Sequence, residues 1–139
     1  MKIVEIKKLP FVEFGETPKR QVRIPVAPQV DPETNCVFTA VSTTLPPLGV
    51  SEGHIHEDCD EMILFMGKGE VKIDNRVFPV EPMTLVTAHK GEQHECRNIS
   101  ETADLELFCI FSPPLTPYGK YPELIEETRR YLYGGSYGI

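Results

Sequence analysis

The chain lacks several features that mark large classes of proteins. No apolar run approaches the ~20 residues needed to span a bilayer, and the first eight residues lack the apolar stretch of a secretion signal. Positive charge is in deficit, because 14 Lys and Arg residues stand against 21 Asp and Glu residues, for a formal net charge of −7. This balance argues against nucleic acid or an anionic membrane as a partner. We therefore expect a cytoplasmic protein with no nucleic-acid or membrane partner.

The four cysteines include no CxxC pair and no zinc-finger spacing. We expect free, reduced thiols. Cys36 and Cys109 lie in apolar, strand-like runs and are expected to pack as small hydrophobic residues. Cys59 and Cys96 lie close to histidines, so a metal-bound thiolate is the alternative for these two.

The sequence also lacks helical patterning before residue 120, which argues against a parallel α/β sheet. Its 13 prolines and 10 glycines divide it into short strand-like runs, the pattern of an all-β sandwich or barrel. Strands are expected at residues 3–6, 11–14, 21–26, 36–45, 61–66, 70–74, 76–80, 85–88, 94–98 and 105–111. An amphipathic helix is expected at 121–132, ended by Gly134-Gly135. At 139 residues, we expect a single domain: an arm at 1–30, a barrel core at 36–111, and a linker and helix at 112–139. The proline-broken arm is expected at the periphery, as an edge strand.

All four histidines fall in two short windows. The window at 49–67 contains His54 and His56, and the window at 89–98 contains His89 and His94. Imidazole is the commonest protein ligand for transition metals. Residues two apart on a strand share a face, so His54 and His56 are expected to project together, with His94 joining them from the second window.

The two windows resemble the two motifs of the cupin superfamily. Matches in the first motif are His54, His56, an acidic residue and Gly67; matches in the second are Gly91, His94 and Asn98. The resemblance covers about residues 36–111 and implies an all-β double-stranded β-helix (jelly-roll) barrel that holds one divalent transition metal ion. It also implies a homodimer, for which the N-terminal arm is a candidate contact. Asn98 is expected to form hydrogen bonds at a turn or strand end rather than to take part in chemistry.

The acidic ligand is either Asp60 or Glu61. Asp60 has the spacing to Gly67 and the same parity as His54 and His56, so an unbroken strand would turn it towards the metal. The same strand would turn Met62, Leu64 and Met66 inwards, where Phe38 and Phe108 are also expected. Glu61 has the right residue type and the four-residue spacer after His56, and a turn between Glu57 and Cys59 would undo the parity argument. The expected metal ligands are His54, His56, Asp60 and His94, and the ion is Fe, Mn, Zn, Ni, Co or Cu.

Three functions fit these residues. The leading expectation is a metal-dependent dioxygenase acting on a small organic acid, diketone or phenolic compound. The alternative is redox-neutral isomerase, decarboxylase or lyase chemistry, with His89 or Glu61 moving a proton. A third is a barrel that binds a small molecule without catalysis. Arginines near the motifs are few, with Arg76 and Arg97 the candidates, which makes a heavily phosphorylated substrate a poor fit.

Overall fold

The computed structural model describes residues 2–31, 36–54 and 56–134, and for residues 52–54 it describes the backbone alone. The expected all-β barrel with one C-terminal helix is confirmed. Within these ranges the chain forms a short 3₁₀ helix at Ile6–Lys8, ten strands and one α-helix. The strands are β1 (Val12–Phe14), β2 (Arg20–Val26), β3 (Thr39–Leu45), β4 (Val50–His54), β5 (Asp60–Phe65), β6 (Gly69–Ile73), β7 (Arg76–Val80), β8 (Thr84–Ala88), β9 (His94–Arg97) and β10 (Leu105–Ser112). The helix is α1 (Tyr121–Tyr133).

The strands form two antiparallel sheets. The six-stranded sheet has the order β1-β2-β3-β10-β5-β8, and the four-stranded sheet has the order β4-β9-β6-β7. One buried apolar cluster takes side chains from both sheets and from α1. The first histidine window therefore contributes to both sheets, through β4 in the smaller sheet and β5 in the larger one, and the second window contributes to the smaller sheet through β9.

The inward face of β5 differs from the expected one. Glu61, Ile63 and Phe65 are 5%, 1% and 0% exposed, so the odd-numbered residues enter the barrel. Met62 and Met66 are 40% and 49% exposed on the outer face. The expectation that Asp60, Met62, Leu64 and Met66 face the interior is wrong, and Phe38 and Phe108 are only half-buried.

The cause of this difference is a break in the strand. The chain bends at residues 57–58 and β5 starts afresh at Asp60, in the other sheet from β4. Because a shift of one residue turns every side chain of a strand to the opposite face, parity counted from His56 does not carry across this bend.

The N-terminal arm is an integral part of the larger sheet. β1 forms its edge, as expected, and β2 pairs with both β1 and β3. Val22 and Ile24 on β2 are 1% and 2% exposed and belong to the core. The strand expected at residues 3–6 is wrong, because the only regular structure described there starts with the 3₁₀ helix at Ile6.

The expected C-terminal helix is confirmed, and the β6–β7 turn has a characteristic backbone. Asp74 and Asn75 have φ of 46° and 69° in the β6–β7 hairpin, the left-handed backbone that two-residue hairpin loops require. Gly134 ends α1 with φ of 76° and donates its N–H to the Arg130 carbonyl at 2.8 Å. On the amphipathic α1, Leu124 and Ile125 are buried and Tyr131 is exposed. Among the described residues no helix is both long and apolar enough to cross a membrane.

Candidate metal centre

Three side chains meet at one end of the barrel interior: His56, Glu61 and His94. One potential ligand atom from each lies within 4.8 Å of the others. His94 Nε2 is 2.8 Å from Glu61 Oε1, and His56 Nε2 is 3.4 Å from the same oxygen. The His94 and Glu61 side chains are 2% and 6% exposed, and that of His56 is 12% exposed. We call these three residues the triad.

The backbone brings the triad together from three separate segments. His94 is the first residue of β9, Glu61 is the second residue of β5, and His56 lies in the connection between β4 and β5. The N–H of Gly91 donates to the His56 carbonyl at 3.0 Å and so links the two windows. Gly91 has φ of 87°, which only glycine adopts at low cost. The motif glycine therefore helps to place a motif histidine.

The ring of His94 is oriented by its second nitrogen. Nδ1 lies 3.2 Å from the Glu92 carbonyl oxygen and Nε2 lies 2.8 Å from Glu61 Oε1, so in the protonated ring both nitrogens donate, and loss of the Nε2 proton leaves Nδ1–H bonded to Glu92 and Nε2 free to bind a metal. Such a bond to the far nitrogen is the usual way a protein fixes the tautomer of a metal-binding histidine. His56 packs its ring edgewise on Phe111, with ring centroids 5.0 Å apart.

The triad is electrostatically self-consistent. Burial on its own raises the pKa of Glu61, but the hydrogen bonds from His56 and His94 and the attraction of these imidazoles outweigh burial and lower the pKa to about 2. For His94, burial lowers the pKa, but the hydrogen bond and negative charge of Glu61 raise it by more than burial lowers it. The pKa of His94 is therefore raised above its ordinary value. Glu61 is therefore an ionised carboxylate at neutral pH.

Of the other expected site residues, Asp60 and His89 are exposed, and His54 is described by its backbone alone. Asp60 is exposed, and its Oδ1 accepts a hydrogen bond from the Lys90 N–H at 2.9 Å, so on geometry Glu61 replaces Asp60 as the carboxylate candidate. His89 is exposed and is not among the described residues that line the cavity beside the triad. The side chain of His54 lies outside the description, although its backbone pairs with that of His94. Its role as a ligand stays a prediction.

A cavity of about 180 Å³ extends inwards from the triad. Its lining is mixed: the triad residues, aliphatic side chains, two thiols, two tyrosines and one arginine. The residues are Arg20, Val22, Val41, Thr43, Ser51, His56, Glu61, Ile63, His94, Cys96, Leu107, Cys109, Phe111, Tyr118 and Tyr121. A second, more open cavity of about 520 Å³ shares His56 and Tyr118 with the first and lies between residues 57–59 and the 114–118 segment.

Sequence reasoning missed Arg20, Tyr118 and Tyr121, which lie outside both windows. The arginine that reaches the cavity is Arg20 rather than Arg76 or Arg97. The sequence signal that could have found Arg20 was the alternation of side chains along β2, because Arg20 shares a face with Val22 and Ile24, which are buried.

The cysteines are free, as expected. Burial raises the pKa of Cys96 to about 12 and that of Cys109 well above its usual range. Both thiols therefore stay protonated, and among the described residues the candidate metal-binding group contains no cysteine.

Comparison with known proteins agrees with the fold. Residues 41–111 match the cupin domain family, and the chain belongs to this family. Two relatives are each named L-ectoine synthase. The one from Saccharophagus degradans is 28% identical over 60% of this chain and 63% of its own length. The one from Teredinibacter turnerae is 33% identical over 45% of this chain and 46% of its own length. The chain thus spans less than two thirds of each of these relatives.

A solved structure shows the same fold. The ectoine synthase of P. lautus superposes with a TM-score of 0.65 at 18% identity, covering 84% of this chain and 80% of that one. At this identity the likeness concerns the fold alone.

Proposed function

We propose that the protein is a metal-dependent enzyme that carries out a redox-neutral reaction on a small organic molecule. The observation that carries the proposal is the triad: His56, Glu61 and His94 bring ligand atoms within 4.8 Å of one another at the wall of an internal cavity. The expected fourth ligand is His54, whose backbone lies opposite His94.

The donor set fits one divalent transition metal ion. Two imidazole nitrogens and a carboxylate oxygen are the mixed ligands that suit Fe, Mn, Zn, Ni, Co or Cu. Metal ligands must be deprotonated, and the lowered pKa of Glu61 meets this requirement. When bound, such an ion supplies a Lewis acid that polarises a carbonyl oxygen.

The same pKa argues against the proton-carrying role considered for Glu61. A general base works best when its pKa lies near the operating pH, whereas the pKa of Glu61 is about 2. Its function is therefore to hold the ion. The apolar walls beside it, which include Ile63, Leu107 and Phe111, exclude water from the reacting group.

The comparisons favour redox-neutral chemistry over the dioxygenase first expected from the sequence. Both relatives are named L-ectoine synthase, and neither name is that of an oxygenase. The likeness supports the isomerase, decarboxylase or lyase alternative, although His89 is exposed and is no longer favoured as its proton carrier.

Metal content tests the centre. We expect wild-type protein to bind close to one equivalent of a divalent metal, measured by elemental mass spectrometry after purification without chelator. His94→Ala should lose this metal, because it removes a buried ligand. His89→Ala is the matched control, since it removes an exposed histidine from the same window and should keep the metal. Equal losses in both variants, or no metal uptake by wild type on titration, would contradict the proposal.

Turnover tests the reaction class. The metal-loaded protein should be assayed first for L-ectoine formation and then on small organic acids, each with and without dioxygen. Turnover that is independent of dioxygen supports the proposal, and stoichiometric consumption of dioxygen would restore the dioxygenase. Thermal stabilisation by a ligand without turnover under any metal would indicate a binding barrel.

The predicted homodimer and cytoplasmic location stay predictions. The molar mass in solution, measured by light scattering on a gel-filtration column, tests the dimer.

A further inference from the structure

The cavity contains a positively charged group that the metal chemistry does not use. Arg20 lines the cavity together with the triad. We infer that Arg20 binds the carboxylate of a small organic acid, whose other end reaches the triad. The inference deepens the proposed function by naming the substrate class, and it rests on that function only for the reacting end.

Strand geometry points Arg20 inwards. Alternate residues of a strand share a face, and Val22 and Ile24, on the same face of β2 as Arg20, are 1% and 2% exposed. Arg23 lies on the other face, where its Nε donates to the Leu9 carbonyl at 3.2 Å. The two arginines of β2 therefore have different surroundings.

Among the described side chains, none provides a counter-charge to the guanidinium group of Arg20. Its carbon lies 5.6 Å from the centre of the Phe14 ring, a contact that supports a cation but accepts no N–H bond in the plane of the group. Among the described residues Nη1 is buried without a hydrogen-bond partner, and none of the ion pairs found there involves Arg20. A buried donor left unpaired costs free energy. A planar guanidinium matches a carboxylate with two parallel hydrogen bonds, so a bound carboxylate would remove that cost.

Glu61 is poorly placed to be that counter-charge. Through β10, Glu61 lies in register with Phe111 and Thr39, at the start of β3. Gln21, the neighbour of Arg20, pairs with Thr44 near the other end of β3. Five residues of strand separate the backbones of these two rows by about 16 Å along the sheet. Glu61 is also already paired with His94 at 2.8 Å.

The two ends of the cavity, rather than the backbone distance, define the ligand. Its carboxylate lies at the Arg20 end, and the group that reacts lies at the triad end. Aliphatic side chains between the two ends, including Val22, Val41 and Leu107, suit an aliphatic spacer. A cavity of about 180 Å³ holds on the order of six water molecules, which limits the ligand to a small acid.

Binding of simple probes to metal-free protein tests the inference. The probes are pentanoate and its neutral isostere pentanamide, titrated by calorimetry in the presence of EDTA. We expect pentanoate to bind and pentanamide to bind at least 10-fold more weakly, because hydrogen bonds to charged groups carry about 1.5–3 kcal/mol. Equal affinity for the two probes, or binding of neither, would overturn the inference.

Variants assign the binding to one residue. Arg20→Met should weaken the binding of pentanoate at least 10-fold. The affinity of Arg20→Lys should lie between those of wild type and Arg20→Met, since lysine keeps the charge but loses the planar pair of donors. Lys19→Met is the matched control, because it removes an exposed positive charge from the adjacent position and should bind pentanoate as wild type does. If Arg20→Met fails to fold, Arg20→Lys and the pair of probes decide. Unchanged affinity in Arg20→Lys together with equal probe affinities would refute the role of Arg20.

The result of the carboxylate-binding test can be distinguished from the result of the metal-content test. His94→Ala without metal should still discriminate pentanoate from pentanamide if Arg20 is the anchor. Loss of metal with intact carboxylate binding would leave the inference standing and the enzyme function in doubt. Normal metal content with no carboxylate preference would remove only the inference.

Discussion

The motif residue Asn98 should stabilise the barrel without taking part in metal binding. Asn98 is 3% exposed, and its Nδ2 donates to the carbonyls of Leu45 at 3.1 Å, Pro46 at 3.0 Å and Ala103 at 2.8 Å. Its Oδ1 accepts the Ser100 N–H at 3.0 Å. One side chain thus ties the end of β3 to the loop that precedes β10. The expectation of a strand-end hydrogen bonder is confirmed.

Replacement of this side chain by alanine removes four hydrogen bonds at once. Each net bond is worth roughly 0.5–1.5 kcal/mol, and the three bonds donated by Nδ2 share only two protons, so we expect Asn98→Ala to lower the free energy of unfolding by about 2–4 kcal/mol. With a urea slope of about 2 kcal/mol/M, the middle of the usual range, the unfolding midpoint should fall by about 1–2 M. Asn98→Asp should be less stable still, since it retains the acceptor but places a negative charge against three carbonyl oxygens.

Urea unfolding followed by circular dichroism measures these changes. Glu101→Ala is the control, because it alters an exposed residue in the same loop and should stay within about 0.5 kcal/mol of wild type. Folded Asn98→Ala should keep its metal. A loss below about 1 kcal/mol, or Asn98→Asp more stable than Asn98→Ala, would refute the bonding scheme.

Three further predictions concern the site and the core. Glu61→Gln should weaken metal binding at least 100-fold, since even the outer partners of metal ligands contribute roughly 10–100-fold. Asp60→Asn should change metal binding little, and competition with a chelating dye measures both; the reverse order would restore Asp60 as the ligand. Phe65→Ala should lower the free energy of unfolding by about 3–5 kcal/mol, because Phe65 is 0% exposed. Met62→Ala should lower it by under about 1 kcal/mol, because Met62 is 40% exposed. Urea unfolding measures both changes. Cys96 should react with a disulfide reagent at pH 8 at least about 1000-fold more slowly than free cysteine, because a pKa raised to about 12 leaves little thiolate; peptide mass spectrometry follows this labelling, and rapid reaction in folded protein would contradict it.

The sequence was sufficient to predict the fold and two members of the triad. Short strand-like runs between turns are a local property, and the hairpin at Asp74-Asn75 and the helix end at Gly134 need only a few neighbouring residues. His56 and His94 could be assigned because the two motifs keep a characteristic spacing, and the structure brings both to Glu61.

The local sequence pattern could not decide whether Asp60 or Glu61 is the carboxylate candidate. Both faces of β5 are apolar, with Ile63 and Phe65 on one side and Met62 and Leu64 on the other, so hydrophobic alternation does not show which face is buried. The answer depends on the bend at residues 57–58 and on pairing with β8 and β10, which lie far along the chain. Strand register depends on these long-range pairings, and a shift of one residue decides whether Asp60 or Glu61 faces the barrel interior.

Arg20 shows how charge placement can set selectivity in such a barrel. A cavity with a carboxylate and imidazoles at one end, and at the other a guanidinium without an ion-pair partner among the described residues, is complementary to a ligand that is polar at one end and anionic at the other. A neutral ligand of the same shape would fill the same volume but leave Arg20 Nη1 buried and unpaired. Sites built to bond a polar group reject analogues that lack it far more strongly than apolar pockets reject a missing methylene. The free-energy cost of leaving the buried Nη1 of Arg20 unbonded in the empty protein is therefore the source of its discrimination when a ligand binds.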